Sequence, residues 1–296
     1  MRYSYQILIG ISLFFSSIAH AIDFYADALY WQASESAEWA LTNNLNSVDQ
    51  VISYKTIAFN FAPGFRVGIG LNNKDWGSRF LYTHYNVRTN DSTSGTVISG
   101  FEAGKFVQTF SNAAQVNFAV DFNMFDADLY KELPVNEALL FRPLIGLKSG
   151  WINQGINTHF QGQIDYAETI NNNFTGIGPK IGLESQWFFY QKENYRYSLI
   201  ANFSSAYMWG NWAINDSLTQ SNSSQISQML LGKRDFGAVT VQGLVGVSLD
   251  YHGYWVKVAY EVSDWFNQYQ VFDNTTGSRN NDLVLQGLTV GLSYRW

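Results

Sequence analysis

The clearest pattern along the chain is an alternation of apolar and polar residues with a period of two. In the last nine residues, LTVGLSYRW (288–296), the apolar or aromatic positions are Leu288, Val290, Leu292, Tyr294 and Trp296. Side chains on a β-strand point alternately to its two faces, so one face of this segment is apolar and the other is polar. The pattern predicts an amphipathic closing strand that ends on an aromatic residue.

The same alternation recurs along the whole chain, and the segments between the strands alternate in length. The expected long connections are 33–59, 88–112, 159–173, 214–235 and 268–282, and the short ones are 72–75, 131–138, 191–194 and 252–253. Outer-membrane barrels have an even number of strands, short periplasmic turns and long extracellular loops. The sequence therefore predicts an all-β fold: a transmembrane antiparallel up-and-down β-barrel of about 10 strands, or 12 if a long loop hides a hairpin.

The N-terminus predicts export. Arg2 precedes a short apolar run, Ile7 to Phe15, and Ala19-His20-Ala21 resembles an A-x-A cleavage site. We expect residues 1–21 to be a signal peptide cleaved after Ala21, and residues 22–296 to form one barrel domain in the bacterial outer membrane. The alternative for the apolar run is a buried core helix.

Composition agrees with an exported β-protein. The chain is 17% aromatic and only 14% charged, and it contains no Cys, which excludes disulfides and thiol chemistry. Its net charge of −6 argues against a nucleic-acid partner. Trp31, Trp76, Trp151, Trp187, Trp209, Trp255 and Trp296 fall near predicted strand ends, where aromatic rings suit the two membrane interfaces.

Charged residues within the strands are expected to face the lumen, because Arg or Lys facing lipid costs ~2–4 kcal/mol at mid-bilayer. The predicted lumen-lining set is Asp27, Arg66, Arg79, Asp121, Arg142, Lys148, Lys180, Glu184, Arg196, Lys257, Glu261 and Arg295. Asp250 is a further anion expected on the inward face. In segment 115–124, Val116, Phe118, Val120, Phe122 and Met124 are assigned outward and Asp121 inward. A break in phase after Met124 suggests a β-bulge.

Eight cations against five anions give this predicted lumen a net positive charge, which favours passage of anions or small neutral solutes. The alternative is a network of ion pairs that fills the barrel. Inward glycines, among them Gly68, Gly70, Gly146 and Gly291, favour open space but also fit a tightly curved barrel.

Several stretches resemble the pore-forming, major-outer-membrane-protein-like family of Legionella. They are DFYADALYWQASE (23–35), GFRVGIG (64–70), RFLYTHY (79–85), FNMFDADLY (122–130), LFRPLIGLKSGWINQ (140–154), FTGIGPKIGLESQWF (174–188) and YMWGNW (207–212). The resemblance spans essentially all of the chain after residue 22. It implies an outer-membrane barrel with a porin-like role, no cofactor and no catalytic residues to transfer.

An enzyme is the weaker hypothesis. The only histidines after residue 21 are His84, His159 and His252, and no flanking pattern supports a catalytic dyad with Asp91 or Asp165. The chain has no Cys and no paired His at metal-ligand spacing, so no metal site is predicted.

The sequence thus predicts a non-enzymatic pore for small hydrophilic solutes. The alternative is a plugged surface adhesin or structural barrel whose loops bind a host or another partner. Expected partners are outer-membrane lipid and lipopolysaccharide, small solutes, and the barrel-assembly machinery, which would recognise Tyr294 and Trp296 in the last strand. A homo-oligomer is left open.

Overall fold

The computed structural model describes residues 21–35, 37–43, 52–73, 75–106, 112–192, 194–221, 225–273 and 277–296. The predicted signal peptide lies outside the described residues, apart from Ala21. The described strands are β1 (Ala21–Ser34), β2 (Glu38–Asn43), β3 (Ile52–Thr56), β4 (Phe61–Asn73), β5 (Trp76–Ser94), β6 (Thr96–Ser99), β7 (Ala113–Lys131), β8 (Leu133–Asn136), β9 (Leu139–Gln161), β10 (Tyr166–Lys192), β11 (Tyr195–Gln220), β12 (Gln225–Tyr251), β13 (Tyr254–Asp273) and β14 (Gly277–Arg295). A turn of 3-10 helix covers Ala103–Phe106. Within these residues, no helix is long and apolar enough to cross a membrane.

Ten of the strands form a closed antiparallel barrel. Their order is β1, β4, β5, β7, β9, β10, β11, β12, β13, β14, and β14 pairs back with β1. Closure leaves none of these ten strands as an edge strand, as a sheet within lipid requires. The predicted fold class and strand number are confirmed. Both the start of β1 and the end of β14 lie at the end with short turns, which is the periplasmic end in outer-membrane barrels.

A band of exposed apolar side chains surrounds the periplasmic half of the barrel wall. On β10 it runs from Trp187 through Leu183 and Ile181 to Ile177. Ten residue steps along a strand tilted by ~40° rise about 25 Å, which is the height of the apolar band of outer-membrane barrels. Trp151 and Trp209 are exposed at its outer edge, and Trp76 and Trp296 at its periplasmic edge. Trp31 and Trp255 were expected at the interfaces, but both point into the barrel: Trp31 is buried there, and Trp255 lines the interior.

The wall continues well beyond this band at the outer end. β10 runs eleven further residues from Ile177 to Tyr166, which corresponds to a rise of about 28 Å. The expected long loops at 159–173, 214–235 and 268–282 are therefore largely strand, extending as hairpins from the barrel. Their Asn-rich and Thr-rich composition does not resemble that of ordinary strands, so the prediction assigned these segments to loops.

The face of the wall that carries the apolar side chains differs between its two halves: it is the outward face in the periplasmic half and the inward face in the outer half. On β7 the residues Phe118, Phe122 and Met124 are buried inside the barrel, on the same face of the strand as inward Asp126 and Asp128. The pairing of β7 with β5 and β9 continues through Met124 without a register shift. The bulge predicted after Met124 and the outward assignment of Val116 to Met124 were therefore wrong. The strand keeps its phase, and only the polarity of its surroundings changes at the outer edge of the apolar band.

A second, three-stranded sheet lies at the outer end of the barrel. β2 pairs with both β3 and β6. We call the described residues 37–43, 52–59 and 96–106 the mouth insert. Trp39, Val97, Phe101 and Ala103 of the insert belong to the same buried cluster as the inward residues of the outer barrel half. The insert therefore fills the outer mouth instead of standing free above it.

Candidate functional site

The interior of the barrel is the candidate functional site, and it has three levels. At the periplasmic end a cavity of about 280 Å³ opens among residues that include Tyr25, Tyr130, Gln186 and Trp255. Ion pairs that include Arg66–Glu261 and Lys180–Asp126 line the inner end of this cavity, and above them lies an apolar core capped by the mouth insert.

Eleven of the twelve predicted lumen-lining residues point into the barrel. They are Asp27, Arg66, Arg79, Arg142, Lys148, Lys180, Glu184, Arg196, Lys257, Glu261 and Arg295. Asp121 was predicted to face the lumen, and this prediction was wrong. It lies on the outward face of β7, where the amide of Asn123 donates a hydrogen bond of 3.0 Å to it. The sequence placed it inside because its apolar neighbours were assumed to face lipid.

One ion-pair network joins three strands around Arg66. The guanidinium group of this β4 residue lies 2.7 Å from Glu261 of β13 and 3.3 Å from Asp27 of β1. The ammonium group of Lys257 lies 2.9 Å from Asp27, and the Thr289 hydroxyl donates to Glu261 at 2.9 Å. The charges of this layer are thus neutralised within the wall.

A second network lies on the opposite wall. Lys148 and Lys180 both lie 2.9 Å from Asp126, and Lys180 is also 3.0 Å from Asp128. Arg79 joins Asp128 of β7, at 3.0 Å, to Glu184 of β10, at 2.5 Å. Because β9 separates these two strands, the Arg79 side chain crosses part of the lumen.

The described periplasmic half of the lumen is electrically balanced. The remaining cations pair as Arg142–Glu132, Arg196–Asp250 and Arg295–Asp23. The anions missed by the sequence analysis are Asp23, Asp126, Asp128 and Glu132. Removing Asp121 from the predicted five anions and adding these four gives eight anions against eight cations. The unbroken alternation of β7 could have revealed Asp126 and Asp128, had no bulge been assumed.

The outer half of the interior is filled with apolar side chains. Phe122 of β7 contacts Trp265 of β13, with ring centroids 5.4 Å apart. Phe174 of β10 packs against Trp212 of β11 in a tilted arrangement, with ring centroids 4.4 Å apart, and approaches Trp265 at 6.5 Å. Since β7 and β13 lie on opposite sides of the barrel, this cluster spans the full width of the lumen.

The mouth insert is fixed to the wall by two buried carboxyl groups. Glu168 of β10 accepts a hydrogen bond of 2.6 Å from the amide of Gly104 and one from the Ser99 hydroxyl. Asp216 of β11 accepts one of 2.9 Å from the amide of Ala103. Glu168 lies nine residues beyond Ile177, well outside the apolar band. Burial, with the nearby charge of Asp216, raises the pKa of Glu168 to about 8, and burial raises that of Asp216 to about 6.

The inward glycines make room for neighbouring side chains more than for water. A Cβ atom at Gly291 would lie 2.3 Å from a carboxylate oxygen of Asp27 and 2.5 Å from the side chain of Lys257. A Cβ at Gly77 would lie 2.2 Å from the ring of Tyr130. These contacts support the expectation of a filled, tightly curved barrel over that of an open lumen.

The histidines are placed on or near the outer surface of the barrel or in a turn. His84 faces outward, with Nδ1 2.8 Å from the amide oxygen of Asn123 and 3.9 Å from Asp121. His159 Nδ1 lies 3.1 Å from the carbonyl oxygen of Tyr166. His252 and Gly253 form the tight turn between β12 and β13, with φ values of 49° and 82°. Among the described residues, no group of three His, Cys, Asp or Glu side chains could hold a metal ion.

The last strand closes the barrel against the first. The amide of Trp296 donates a hydrogen bond of 2.9 Å to the carbonyl of Ile22, and Ile22 donates one of 3.2 Å back to Trp296. The Trp296 ring is exposed at the periplasmic edge, and the ring of Tyr294 lies tilted against that of Tyr254, with centroids 4.7 Å apart. The role of Tyr294 and Trp296 as an assembly signal stays a prediction.

Comparisons with solved structures return other barrels of the outer membrane. The outer membrane protease OmpT from Escherichia coli is 11% identical, with 95% of this chain and 99% of that chain covered and a TM-score of 0.44. The translocator domain of the autotransporter NalP from Neisseria meningitidis is 9% identical, with 99% and 95% covered and a TM-score of 0.35. Scores this low carry no argument about activity. A search of curated proteins gives no significant match.

The family comparison covers nearly the whole chain. The sequence profile of the Legionella pneumophila major outer membrane protein precursor matches residues 16–296. The matched range includes every barrel strand and the mouth insert. This extent confirms the resemblance noted in the sequence, together with a location in the bacterial outer membrane. The chain belongs to the Legionella major outer membrane protein family.

Proposed function

We propose that this outer-membrane barrel is closed at rest and acts through the surface that it presents outside the membrane. The observation that carries the proposal is the contact between Phe122 and Trp265, which bridges the lumen between opposite strands. Water and ions do not pass an apolar constriction that is fully occupied by side chains. The protein is then a structural or surface-contact barrel with no catalytic role.

The ion-pair layer supports the same conclusion. All eight described cations that face the periplasmic half of the lumen are paired with carboxylates from the wall. A buried pair loses much of its stability when one partner is withdrawn. These groups are therefore better suited to hold the barrel shut than to serve as binding steps for a permeating ion.

A gated pore for small hydrophilic solutes is the second candidate, and the periplasmic cavity favours it. The cavity has polar lining residues such as Arg79, Gln186 and Asn202. Its lining also includes Asp126, two residues from Met124 of the apolar core. Passive diffusion would then require the mouth insert to leave the barrel and the aromatic core to separate.

The test is conductance in planar bilayers, with insertion verified by the heat-modifiable mobility of the folded band. We expect no stepwise conductance from the wild-type protein. A variant that combines Phe122→Ser, Phe174→Ser and Trp265→Ser with replacement of residues 96–106 by a Gly-Ser linker should conduct, which shows that the assay detects an opened barrel. If that variant does not fold, the same linker replacement with Phe122→Ala and Trp265→Ala provides a second opened form. Unitary conductance steps from folded wild-type protein would overturn the closed-barrel proposal and favour the pore.

A further inference from the structure

The outward face of the extended wall carries an uncharged row of amide and hydroxyl groups. The row consists of Asn90, Asn117, Asn157, Thr169, Ser217 and Gln228, which are cross-strand partners in register on β5, β7, β9, β10, β11 and β12. We call these six residues the amide wall. With neighbouring strands ~4.8 Å apart, the row extends about 24 Å around the barrel wall.

The rows next to the amide wall also contain amides, but they are mixed in chemistry. The row immediately below it includes Arg88, Ala119, Gly155 and Leu230. Asn171 pairs with Asn215 one row below the amide wall, and Asn153 pairs with Asn173 one row further down. Among the described outward positions of β5, β7, β9, β10 and β11 above the apolar band, the acidic or basic residues other than histidine are Arg88 and Asp121. Soluble domains are ~25% charged, so this surface differs from an ordinary hydrated one.

The amide wall is not explained by the stability of the sheet alone. Asn is depleted in β-strands because it packs poorly on a pleated surface. Some polar pairs do hold each other: the Thr169 hydroxyl donates to the amide oxygen of Asn157 at 3.0 Å, and the amide of Gln228 donates to that of Asn215 at 3.2 Å. The first of these bonds orients the Asn157 amide through its oxygen, so its NH2 group can donate to another acceptor.

The position of this polar outward face, directly beyond the apolar band, indicates which molecules it contacts. Asn153 is the next outward residue on β9 after Trp151, which marks the outer edge of the apolar band. The polar surface is therefore continuous with the face that contacts lipid. In the outer leaflet of a Gram-negative outer membrane, the acidic innermost sugars of lipopolysaccharide lie next to the acyl chains, and the rest of the sugar core lies further out. The amide wall lies at this outer level, because Asn157 is six residues beyond Trp151 on β9.

We propose that the amide wall binds the core sugars of the lipopolysaccharide molecules that surround the barrel. Amide and hydroxyl groups donate to and accept from sugar hydroxyls, and the lack of charge matches an uncharged sugar chain. The six strands form about half of the circumference of the ten-stranded barrel, so the curved row can contact the sugars of several neighbouring lipopolysaccharide molecules. The inference gives the proposed surface role a partner, but it does not depend on a closed lumen, because conduction by the wild type would leave it standing.

The test compares two purified lipopolysaccharides by native mass spectrometry of the detergent-folded, full-length protein. One carries a complete sugar core, and the other is truncated to lipid A with its innermost acidic sugars. We expect the apparent affinity of the wild type to be at least tenfold higher for the complete form. The isosteric double variant Asn117→Asp and Asn157→Asp should lose this preference, because charge penalises contact with neutral sugars.

The matched control is Asn60→Asp and Asn267→Asp, which adds the same charge at exposed positions outside the amide wall. This control should keep the tenfold preference. Equal binding of both lipopolysaccharides by the wild type, or an unchanged preference in the amide-wall variant, would overturn the proposal. A wild-type dimer that the amide-wall variant dissociates would assign the surface to a second copy of the chain and would also overturn it.

Discussion

Phe122 and Trp265 meet edge to face inside the barrel, with ring centroids 5.4 Å apart, although their strands are five positions apart in either direction around the wall. Phe122 is 4% exposed and Trp265 is fully buried. A barrel of this strand number has an interior just wider than one that side chains fill. One aromatic pair, supported by Phe174 and Trp212, is therefore enough to bridge it.

Truncating this contact should destabilise the barrel markedly. We expect Phe122→Ala to lower the free energy of unfolding by ~3–5 kcal/mol, the usual cost of removing a buried aromatic ring. Phe122→Leu should cost less because most of the volume is retained. Urea unfolding in lipid vesicles measures both. Equal, small losses would mean that the ring is not packed in the folded state.

Removing Arg66 should leave two carboxylates without their shared cation. We expect Arg66→Gln to cost ~3–5 kcal/mol, because Asp27 and Glu261 would remain buried and charged. Adding Glu261→Gln to this variant should recover part of the loss. A double-mutant cycle, measured by urea unfolding, gives the coupling energy. Additive losses would contradict a direct contact between the two groups.

Charge reversal at Lys180 should affect assembly before selectivity. Glu at this position would place a third carboxylate beside Asp126 and Asp128, which now share the Lys180 ammonium group. We expect Lys180→Glu to reduce the folded, heat-modifiable fraction strongly. Arg88→Glu reverses a charge on the exposed outer wall and should fold normally. A change in ion selectivity from this reversal is expected only in an opened barrel.

The anchoring of the mouth insert should weaken as the pH rises. The pKa of Glu168 in the folded protein is about 8, above its ordinary value of 4.5. The protonated group therefore contributes its full stability below about pH 4.5, and this contribution is lost as the pH rises through about 8. Asp216, with a pKa of about 6, loses its contribution in the same direction.

Glu168→Gln isolates this effect, because the neutral amide keeps an oxygen that can accept the bond from Gly104. We expect the thermal unfolding midpoint of the wild type to fall between pH 5 and pH 9 by more than that of the variant. Both proteins should retain the same circular dichroism at pH 5. An identical pH dependence of the two midpoints would contradict the assignment.

The sequence predicted the periplasmic half of the wall well, because there the rule that apolar residues face outward holds. Phe65, Val67 and Ile69 face out and Arg66 faces in, as expected. The same rule failed for Phe118 and Asp121. Alternation identifies two faces but does not reveal which one is buried, and outside the membrane the answer reverses. A period of two is the same in both halves of the strand.

The mouth insert was also beyond the reach of the sequence pattern. Residues 37–43 and 96–106 are separated by two barrel strands, and only the closed wall brings them together. Their polar anchors, Glu168 and Asp216, come from segments whose composition resembles loops. The neutral lumen was missed for a related reason, since Asp126 and Asp128 were removed from the interior by an assumed bulge.

The seam between β1 and β14 has a consequence for biogenesis. Arg295 and Asp23, 272 residues apart in sequence, form an ion pair across this seam. Such distant pairing makes folding slow, because the entropy of a very long loop must be lost first. The barrel cannot close until β14 has paired with β1. A polypeptide that lacks only its last dozen residues would leave two unpaired strand edges facing hydrocarbon, and should not assemble into the membrane.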